Sequence, residues 1–529
     1  MDKILKSKVT LITSLIGVLS IFALLFYRAP YSERTLVGNL EPYPDTLFYS
    51  RPAWNLVHGS GYTMQAYGYK TKIATPPVYS LYLAPFFATF DDVRSFYFAN
   101  IILAFLSVGL LLLTIRRLFG GKYWAIYMFL GGFLYLTNYY IFTLPTLLMA
   151  ENITITLFLG MFYLVVEKTT KKNSIIAGIL GMLLLGAKFS NLPLMVSFYL
   201  IYAWKIYKEK SIRSSEFKYY IITTSIAGIV FLAYIITSGI LVGHKNLGTS
   251  NSFNLSYLMP NLQTYLHTLI GRPASFLWFY YPMVSSYIGA LSIIGVTLGL
   301  LLSQFRTYIG YLLIIMFVHL LFGSSFYATD SRYIIVLYPI MIFFICFGIQ
   351  TVFKRTSVLI ASVVTVTIIG LYLAIPSFGQ ILSEPLVITL KKQVGINFRH
   401  AQVPWHMIAA QEWHEFAKQQ DAKIYIGTFL PPYFIHYYVG DDISYMPITP
   451  GQEFFYDKVD QSHNYAGSLI DYYTSLLEQG NNVYVSSYYS TNIFGWDKRY
   501  NELVSNFKVE LAHEGCLGVC NLYQLNIKK

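Results

Sequence analysis

Acidic residues stand beside apolar segments at two places in this sequence, where a carboxylate could take part in proton transfer. The segment EPYPD carries Glu41 and Asp45 soon after the first apolar run, and Glu151 begins a later run. A carboxylate beside a hydroxyl nucleophile can remove the proton of that hydroxyl. Asp45 and Glu151 are therefore the candidate catalytic residues, and Glu41 is a further candidate.

Basic residues near the ends of other apolar runs could neutralise a phosphate. Arginine binds phosphate as a bidentate fork, whereas lysine acts as a point charge. The candidate residues for substrate binding or for the phosphate of a donor are Lys188, Arg332, Lys70, Lys72 and Arg272, with His58 as an additional candidate.

Each candidate also has a purely structural interpretation. Asp45 would be a solvated loop residue, and Glu151 a carboxylate favoured by the dipole at a helix N-terminus. Lys188 would extend its ammonium to the membrane interface while its stem stays in an apolar environment. Arg332 would simply pair with Asp330, two positions earlier.

Several familiar kinds of site are excluded. The chain has no Walker loop and no dinucleotide fingerprint. The sequence HGSG at 58–61 lacks the spacing of a nucleophile elbow. His319 lies inside an apolar run and is interpreted as a buried core residue. No metal site and no cofactor is assigned, and participation of a divalent metal is left open.

The composition indicates that a membrane surrounds these residues. Hydrophobic types make up 55% of the 529 residues and charged types only 12%, about half the charged share of a soluble domain. The net charge of +12 would suggest nucleic acid in a soluble protein. Here most bases flank apolar runs, so they are interpreted as topology signals and nucleic acid is not expected as a partner.

The apolar runs predict a polytopic α-helical membrane protein with about 11 spans. A run of about 20 apolar residues is needed to cross a bilayer as a helix. The first predicted span follows the basic N-terminus and is interpreted as uncleaved. The spans are predicted at 9–27, 93–115, 122–141, 152–167, 174–189, 191–206, 219–240, 277–302, 307–323, 333–353 and 356–376.

Lysine and arginine fall mainly on alternate loops, which sets the orientation. The loop after the sixth span is an example, with Lys205, Lys208, Lys210, Arg213 and Lys218. By the positive-inside rule these loops and the N-terminus are cytoplasmic. The apolar stretch from Pro76 to Phe90 would invert this bias if it crossed the membrane, so it is predicted to lie at the outer face.

This topology predicts two domains. Residues 1–376 form the transmembrane domain, and residues 28–92 form its long first extracytoplasmic loop. Residues 377–529 carry more polar sequence and are predicted to form an extracytoplasmic soluble α/β domain. Its predicted helices are at 405–420, 431–439 and 466–479, and its predicted strands at 423–427, 443–448, 483–489, 507–513 and 522–527.

The cysteines fit this arrangement. Cys346 lies in an apolar run and is interpreted as an inert core thiol. Cys516 and Cys520 could form a small disulfide if the C-terminal domain is outside the cytoplasm. Whether they are bonded is left open, and no second pair of cysteines or histidines nearby supports a zinc site.

The local sequence resembles the C-type (GT-C) membrane glycosyltransferases, in particular the branch of the protein O-mannosyltransferases and lipid A aminoarabinose transferases. The likeness lies in the order of short motifs and covers roughly residues 1–200 and 325–345. These motifs are EPYPD, a helix ending in GSGY, the sequence TPPVY, a span ending in RRLFG, GILGMLLLGAKFSNLPL with Lys188, and DSRYIIVLYP with Arg332.

The resemblance implies an enzyme that takes a sugar from a polyprenyl- or dolichyl-phosphate carrier on the extracytoplasmic side, with inversion. The acceptor would be a lipid, a glycan or a protein. By this likeness, Asp45 matches the acidic residue that acts as general base or orients the acceptor, and Glu151 matches the second acidic position. Lys188 and Arg332 match positions where bases serve the donor phosphate. Many relatives have an Asp-Glu pair where this chain has Asp45 and Thr46.

Two other classes of function are considered. A flippase or transporter of lipid-linked sugars would carry ionisable or broken helices near the middle of the membrane, often in repeated halves. Neither feature is clear in the sequence. A non-catalytic envelope assembly protein with a degenerate GT-C fold is the second alternative, and Thr46 is what such degeneration would produce.

Overall fold

The computed structural model describes most of the helical part of the chain and about half of the C-terminal part. The described residues are 18–19, 45–64, 73, 75–121, 123–138, 140–141, 144–237, 253–272, 284–302, 305–326, 331–353, 357–374, 405–420, 424–430, 435, 439, 444–447, 469–488 and 496–528.

The N-terminal part is helical throughout its described residues. In chain order its helices are α1 Asp45–Val57, α2 Val78–Phe90, α3 Phe96–Leu118, α4 Trp124–Leu136, α5 Glu151–Val166, α6 Lys171–Ala187, α7 Leu192–Glu209, α8 Ser215–Thr237, α9 Leu258–Leu269, α10 Ser286–Leu302, α11 Arg306–Ser324, α12 Ser331–Ile334, α13 Tyr338–Phe353 and α14 Val358–Ala374.

Ten predicted spans coincide with helices of this list, from α3 to α8 and from α10 to α14. Within the described residues, four helices are long and apolar enough to cross a bilayer: α3, α8, α11 and the continuous run Arg332–Phe353. The first predicted span, 9–27, lies outside the described residues except for Val18 and Leu19. The total of eleven crossings therefore stays a prediction.

Two features of the first outer loop agree with its sequence. A helix, α2, occupies the stretch predicted to lie at the outer face, and α1 ends just before Gly59 in GSGY. Gly59 and Gly61 both have positive φ, which a glycine adopts at little cost. Helix α9, by contrast, was not predicted; its mixed apolar and polar sequence lacks the long apolar run of a span.

Packing in the helical part depends on small residues as well as on apolar ones. A Cβ atom on Gly295 of α10 would lie 2.1 Å from the backbone oxygen of Phe344 in α13. A Cβ atom on Gly348 would lie 2.5 Å from the Cα of Gly295. The two backbones therefore touch, as glycine allows between membrane helices.

One lysine that the sequence assigns to a cytoplasmic loop is buried. Lys205 lies in the last part of α7 and donates hydrogen bonds to the backbone oxygens of Leu164 and Glu167. These carbonyls end α5, where a helix lacks its own donors and its dipole favours a cation. Lys205 thus caps the C-terminal end of α5.

The described residues after 405 form three helices and a five-stranded mixed sheet. They are α15 Trp405–Lys418, β1 Ile424–Thr428, β2 Ser444–Pro447, α16 Leu469–Glu478, β3 Asn482–Val485, α17 Trp496–Ser505, β4 Phe507–His513 and β5 Leu522–Ile527. All five predicted strands are present. Helix α17 was not predicted, and the predicted helix at 431–439 lies outside the described residues except for 435 and 439.

The strand order of the sheet is β2-β1-β3-β5-β4. Strand β1 pairs in parallel with β2 and β3, while β5 pairs antiparallel with β3 and β4. Side chains alternate between the two faces, so Ile426 packs with Trp413 of α15 and Val485 packs with Tyr473 of α16. Helices therefore cover both faces, as is usual for sheets with parallel strands.

Two contacts hold the end of this sheet. Cys516 and Cys520 form a disulfide, and the indole nitrogen of Trp413 donates to the backbone oxygen of Cys520 at 2.8 Å. The same apolar cluster contains Leu47 of α1. The helix that begins at Asp45 is thus packed against the C-terminal part.

Candidate active site

A buried ion pair lies where two helices begin and end. Glu151 is the first residue of α5, and Lys188 follows the last residue of α6 in extended conformation. The Lys188 ammonium donates to Oε1 of Glu151, whose side chain is buried, while that of Lys188 is mostly buried. The N-terminus of α5 favours the carboxylate through the helix dipole.

Such a pair needs a reason beyond stability. Taking two charges out of water costs more than their mutual attraction returns in many proteins, so an apolar pair would serve the fold as well. Ionisable residues buried among membrane helices are rare and mark functional sites. Glu151 and Lys188 therefore qualify as candidates on structural grounds that are independent of sequence likeness.

A second cation and an aromatic ring complete this cluster. The Lys188 nitrogen lies 4.6 Å from the centroid of the Tyr333 ring, and the Arg332 guanidinium carbon lies 5.2 Å from the same centroid. Arg332 is also buried. Cation–π contact stabilises both charges when they are shielded from water, so Tyr333 holds two cations at one place.

These side chains line one small cavity of about 10 Å³, which has room for about one water molecule. It lies between α5, the turn after α6 and the segment that joins α12 to α13. Among the described residues, two cations and one carboxylate line it, and Arg and Lys side chains are the groups that bind a phosphate. The lining residues are Glu151, Thr154, Ile155, Lys188, Ser190, Asn191, Arg332, Tyr333, Ile335 and Val336.

The turn that carries Lys188 is held by a buried asparagine. The side-chain amide of Asn191 donates to Thr154 Oγ1 of α5 and to the backbone oxygen of Leu184 in α6, both at 2.9 Å. A buried polar group that keeps its partners fixes a local conformation. Asn191 therefore ties the Lys188 turn to the helix that begins with Glu151.

The loop before Glu151 is fixed in the same way. Asn152 donates to the backbone oxygens of Leu144, Leu147 and Met149, and Asn100 of α3 also donates to Leu147. Asn152 lies in a glycosylation sequon, but its side chain is buried and fully used. The polar network sets where α5 begins and so where the Glu151 carboxylate lies.

Asp45 is the first residue of α1, and its side chain lies outside what the structure describes. Positions four apart share a helix face, so Asp45 lies on the face of Tyr49 and Ala53. Those two pack in one cluster with Ala150 and Ala187, the neighbours of Glu151 and Lys188. The face of α1 that begins with Asp45 thus adjoins the elements that carry the ion pair.

The remaining candidates are not on this cavity or lie outside the described residues. Arg272 is exposed just after α9 and is not among the lining residues. Glu41, Lys70, Lys72 and Asp330 all lie outside the described part of the chain, so the suggested Arg332–Asp330 pair stays a prediction.

His58 takes part in a different interaction near the end of α1. Its Nε2 lies 2.8 Å from Oδ1 of Asp91, its Nδ1 lies 2.8 Å from the backbone oxygen of Trp54, and its ring stacks on the Trp54 indole. These two hydrogen bonds, to Trp54 first and to Asp91, raise the pKa of His58. His58 thus joins the ends of α1 and α2.

The sequence did not single out Tyr333, Asn191 or the Asn100–Asn152 network. Tyr333 is part of the motif DSRYIIVLYP, but a sequence pattern does not indicate that two cations contact the same ring. Among the described residues, no group of three or more histidine, cysteine or acidic side chains is placed to hold a metal ion.

Comparison with solved structures identifies the fold. No protein-family model matches the sequence, and no curated protein matches it. The structure is similar to two crystal structures of ArnT from Cupriavidus metallidurans. The apo form has a TM-score of 0.55 at 13% identity, covering 100% of this chain and 99% of ArnT.

The form bound to undecaprenyl phosphate has a TM-score of 0.53 at 11% identity, with 98% of both chains covered. The aligned residues cover this chain almost from end to end. The chain is therefore a multi-pass helical membrane protein with the fold of the GT-C-type glycosyltransferases.

Proposed function

We propose that this chain is an integral membrane glycosyltransferase that moves a sugar from a polyprenyl-phosphate carrier to an acceptor on the extracytoplasmic side, with inversion. The observation that carries the proposal is the buried cavity in which Lys188, Arg332 and Glu151 surround the Tyr333 ring.

The charge of this cavity suits a phosphate. Two buried cations face one carboxylate, and that carboxylate is already paired with Lys188. Arg332 supplies a planar fork of donors and Lys188 a mobile ammonium, which together can bind the oxygens of a phosphate. In this assignment Glu151 orients Lys188, and Lys188 and Arg332 together bind the anion.

The location suits a phosphate that is attached to a lipid. The cavity is bounded by α5, which packs against the membrane-length helix α3. A polyprenyl chain can lie along the helix surfaces while its headgroup reaches the cations. ArnT, which shares the fold, was crystallised with undecaprenyl phosphate, and this supports the same class of carrier here.

The chemical step is a single displacement at the anomeric carbon. The acceptor oxygen forms a bond to that carbon while the bond from the carbon to the phosphate oxygen breaks, and the electron pair leaves with the polyprenyl phosphate. Lys188 and Arg332 stabilise the negative charge that develops on this leaving group. Asp45 takes the proton of the acceptor hydroxyl.

Inversion is the stereochemical outcome expected of such a single displacement. A base on one side of the sugar and a phosphate site on the other direct the acceptor to the face opposite the leaving group. The position of Asp45 on the α1 face next to the Ala150–Ala187 cluster supports such a placement. The charge bias of the loops supports the extracytoplasmic side.

The test is transfer from a radiolabelled polyprenyl-phosphate sugar to endogenous acceptors, in membrane vesicles from cells that produce the full-length protein. Asp45→Asn should lower the rate at least a hundredfold, because general base catalysis contributes about that much. Lys188→Gln should do so through the leaving group. Glu478→Gln and Lys172→Gln, at exposed ends of α16 and α6, are the matched controls.

Two outcomes would contradict the proposal. Equal transfer by wild type and Asp45→Asn would remove Asp45 from the mechanism. Movement of the labelled lipid between leaflets with no transfer in the wild type would identify a transporter of lipid-linked sugars instead.

A further inference from the structure

A buried histidine lies next to the proposed phosphate site without lining it. His319 lies in α11, and its side chain is almost completely buried. Its Nε2 is 2.7 Å from the backbone oxygen of Tyr333. Its Nδ1 has no hydrogen-bond partner among the described residues. An apolar side chain would fill this position in a membrane helix at lower cost.

The partner determines the tautomer of the imidazole. A backbone carbonyl only accepts hydrogen bonds, so the Nε2 of His319 must carry the proton and donate it. The proton on Nε2 is donated to the backbone oxygen of Tyr333, and Nδ1 makes no hydrogen bond within the described residues. What the histidine does for its surroundings is therefore done through this one hydrogen bond.

The bonded carbonyl lies where the backbone changes its helix type. Tyr333 is in the short helix α12, Ile335–Leu337 form a 3₁₀ turn, and α13 follows from Tyr338. Carbonyls in the last turn of a helix lack donors from their own helix. The histidine supplies one, and this fixes the rotation of the segment about its axis.

That rotation decides where the two cations meet. The Tyr333 ring contacts the Lys188 ammonium, and Arg332 is the preceding residue and contacts the same ring. If the segment turned about its axis, both the ring and the guanidinium would leave the Lys188 ammonium. We propose that His319 is a positioning residue, which sets the Arg332–Tyr333 segment against Lys188 and so builds the phosphate site.

This inference rests on the proposed function, and it can be tested by binding alone. The probe is undecaprenyl phosphate, without sugar, and the protein is the full-length chain in nanodiscs. The amide of a glutamine can place a donor near the position of Nε2, whereas that of an asparagine reaches only about as far as Nδ1. His319→Gln should therefore keep the hydrogen bond to Tyr333, and His319→Asn should lose it.

We expect His319→Asn and the apolar variant His319→Leu to bind the probe about tenfold more weakly, as the loss of one buried positioning hydrogen bond implies. His319→Gln should stay within about threefold of wild type. A thermal unfolding curve of each variant establishes that it is folded. If either His319→Asn or His319→Leu fails to fold, the other still measures the effect of losing the hydrogen bond.

The outcomes separate this inference from the function on which it rests. If wild type binds and all three variants bind equally well, His319 has no positioning role and the proposed function stands. If His319→Gln loses as much affinity as His319→Leu, the donated hydrogen bond is not the cause and the inference is wrong. If wild type does not bind undecaprenyl phosphate, the proposed function fails, and the inference fails with it.

Discussion

Removing the Glu151 carboxylate should destabilise the protein more than removing the Lys188 ammonium. In Glu151→Gln the Lys188 ammonium stays buried without its carboxylate, and Arg332 adds a second positive charge at the same ring. Breaking a buried pair costs about 3–5 kcal/mol. The Glu151 side chain is 5% exposed and the Lys188 side chain 14%. Because the ammonium keeps some contact with solvent, we expect a loss at the lower end of that range, about 3 kcal/mol.

The reverse change should cost less. In Lys188→Met the Glu151 carboxylate keeps the N-terminus of α5, and a charge in a partly buried site of this kind gains about 1 kcal/mol from the helix. We therefore expect a loss of about 2 kcal/mol. The double variant leaves neither charge and should also lose about 2 kcal/mol, so the coupling energy between the two residues is about 3 kcal/mol.

The measurement is the free energy of unfolding in mixed micelles, for wild type, the two single variants and the double variant. The exposed pair of Lys508 and Glu510, whose charged atoms are 2.7 Å apart, is the control. Its cycle should give less than about 0.5 kcal/mol. Additive effects of the two single substitutions would refute the reasoning, since two residues that stabilise each other must show a coupling energy.

Three further predictions follow from contacts away from the cavity. The interaction of His58 with Asp91 should stabilise the protein fully below about pH 6.5, the ordinary histidine pKa, and this contribution should fade as the pH rises through the raised pKa of the folded state. Its size is at most about 0.5 kcal/mol because the pair is exposed. His58→Gln should flatten that slope in thermal unfolding curves between pH 5 and 8, and an unchanged slope would assign it to other groups. Gly295→Leu should destabilise the protein by about 3 kcal/mol or prevent folding, because a side chain there meets the α13 backbone; expression and gel filtration report this, and Gly310→Leu, where a side chain meets open space, should be tolerated. Asn152→Ala should cost about 2 kcal/mol, because the loop before α5 loses three hydrogen bonds that the amide donates. A variant that unfolds at the wild-type midpoint would show that the remaining donors to these carbonyls, such as Asn100, are sufficient.

The sequence predicts the parts of the fold that depend on apolar run length. Ten of the predicted spans fall on helices, because a helix in a bilayer must be apolar over its whole length, and that composition can be read without a structure. The five strands of the C-terminal sheet were also predicted, from short apolar runs between turn residues. Helix α9 is too short and too polar to be recognised as a span, and it is marked only by an amphipathic pattern over 12 residues.

The candidate site was only partly predictable. The sequence singles out Glu151, Lys188 and Arg332, since ionisable groups beside apolar runs stand out, and the structure brings all three to one cavity. Their role in the reaction stays a prediction. Their arrangement was not predictable, because partners far apart in sequence are brought together by the packing of whole helices. The Glu151–Lys188 pair depends on the asparagines that hold the adjacent turns, and an asparagine in a loop carries no distinctive sequence signal.

The two lysines that bracket α7 have a joint effect on α5. Lys188, just before α7, binds the first residue of α5, and Lys205, near the end of α7, binds the carbonyls that finish α5. A slip of α5 along α7 by a single residue, about 1.5 Å, would strain both attachments at once. The two helices are thus locked in register, and α5 forms a rigid wall of the cavity.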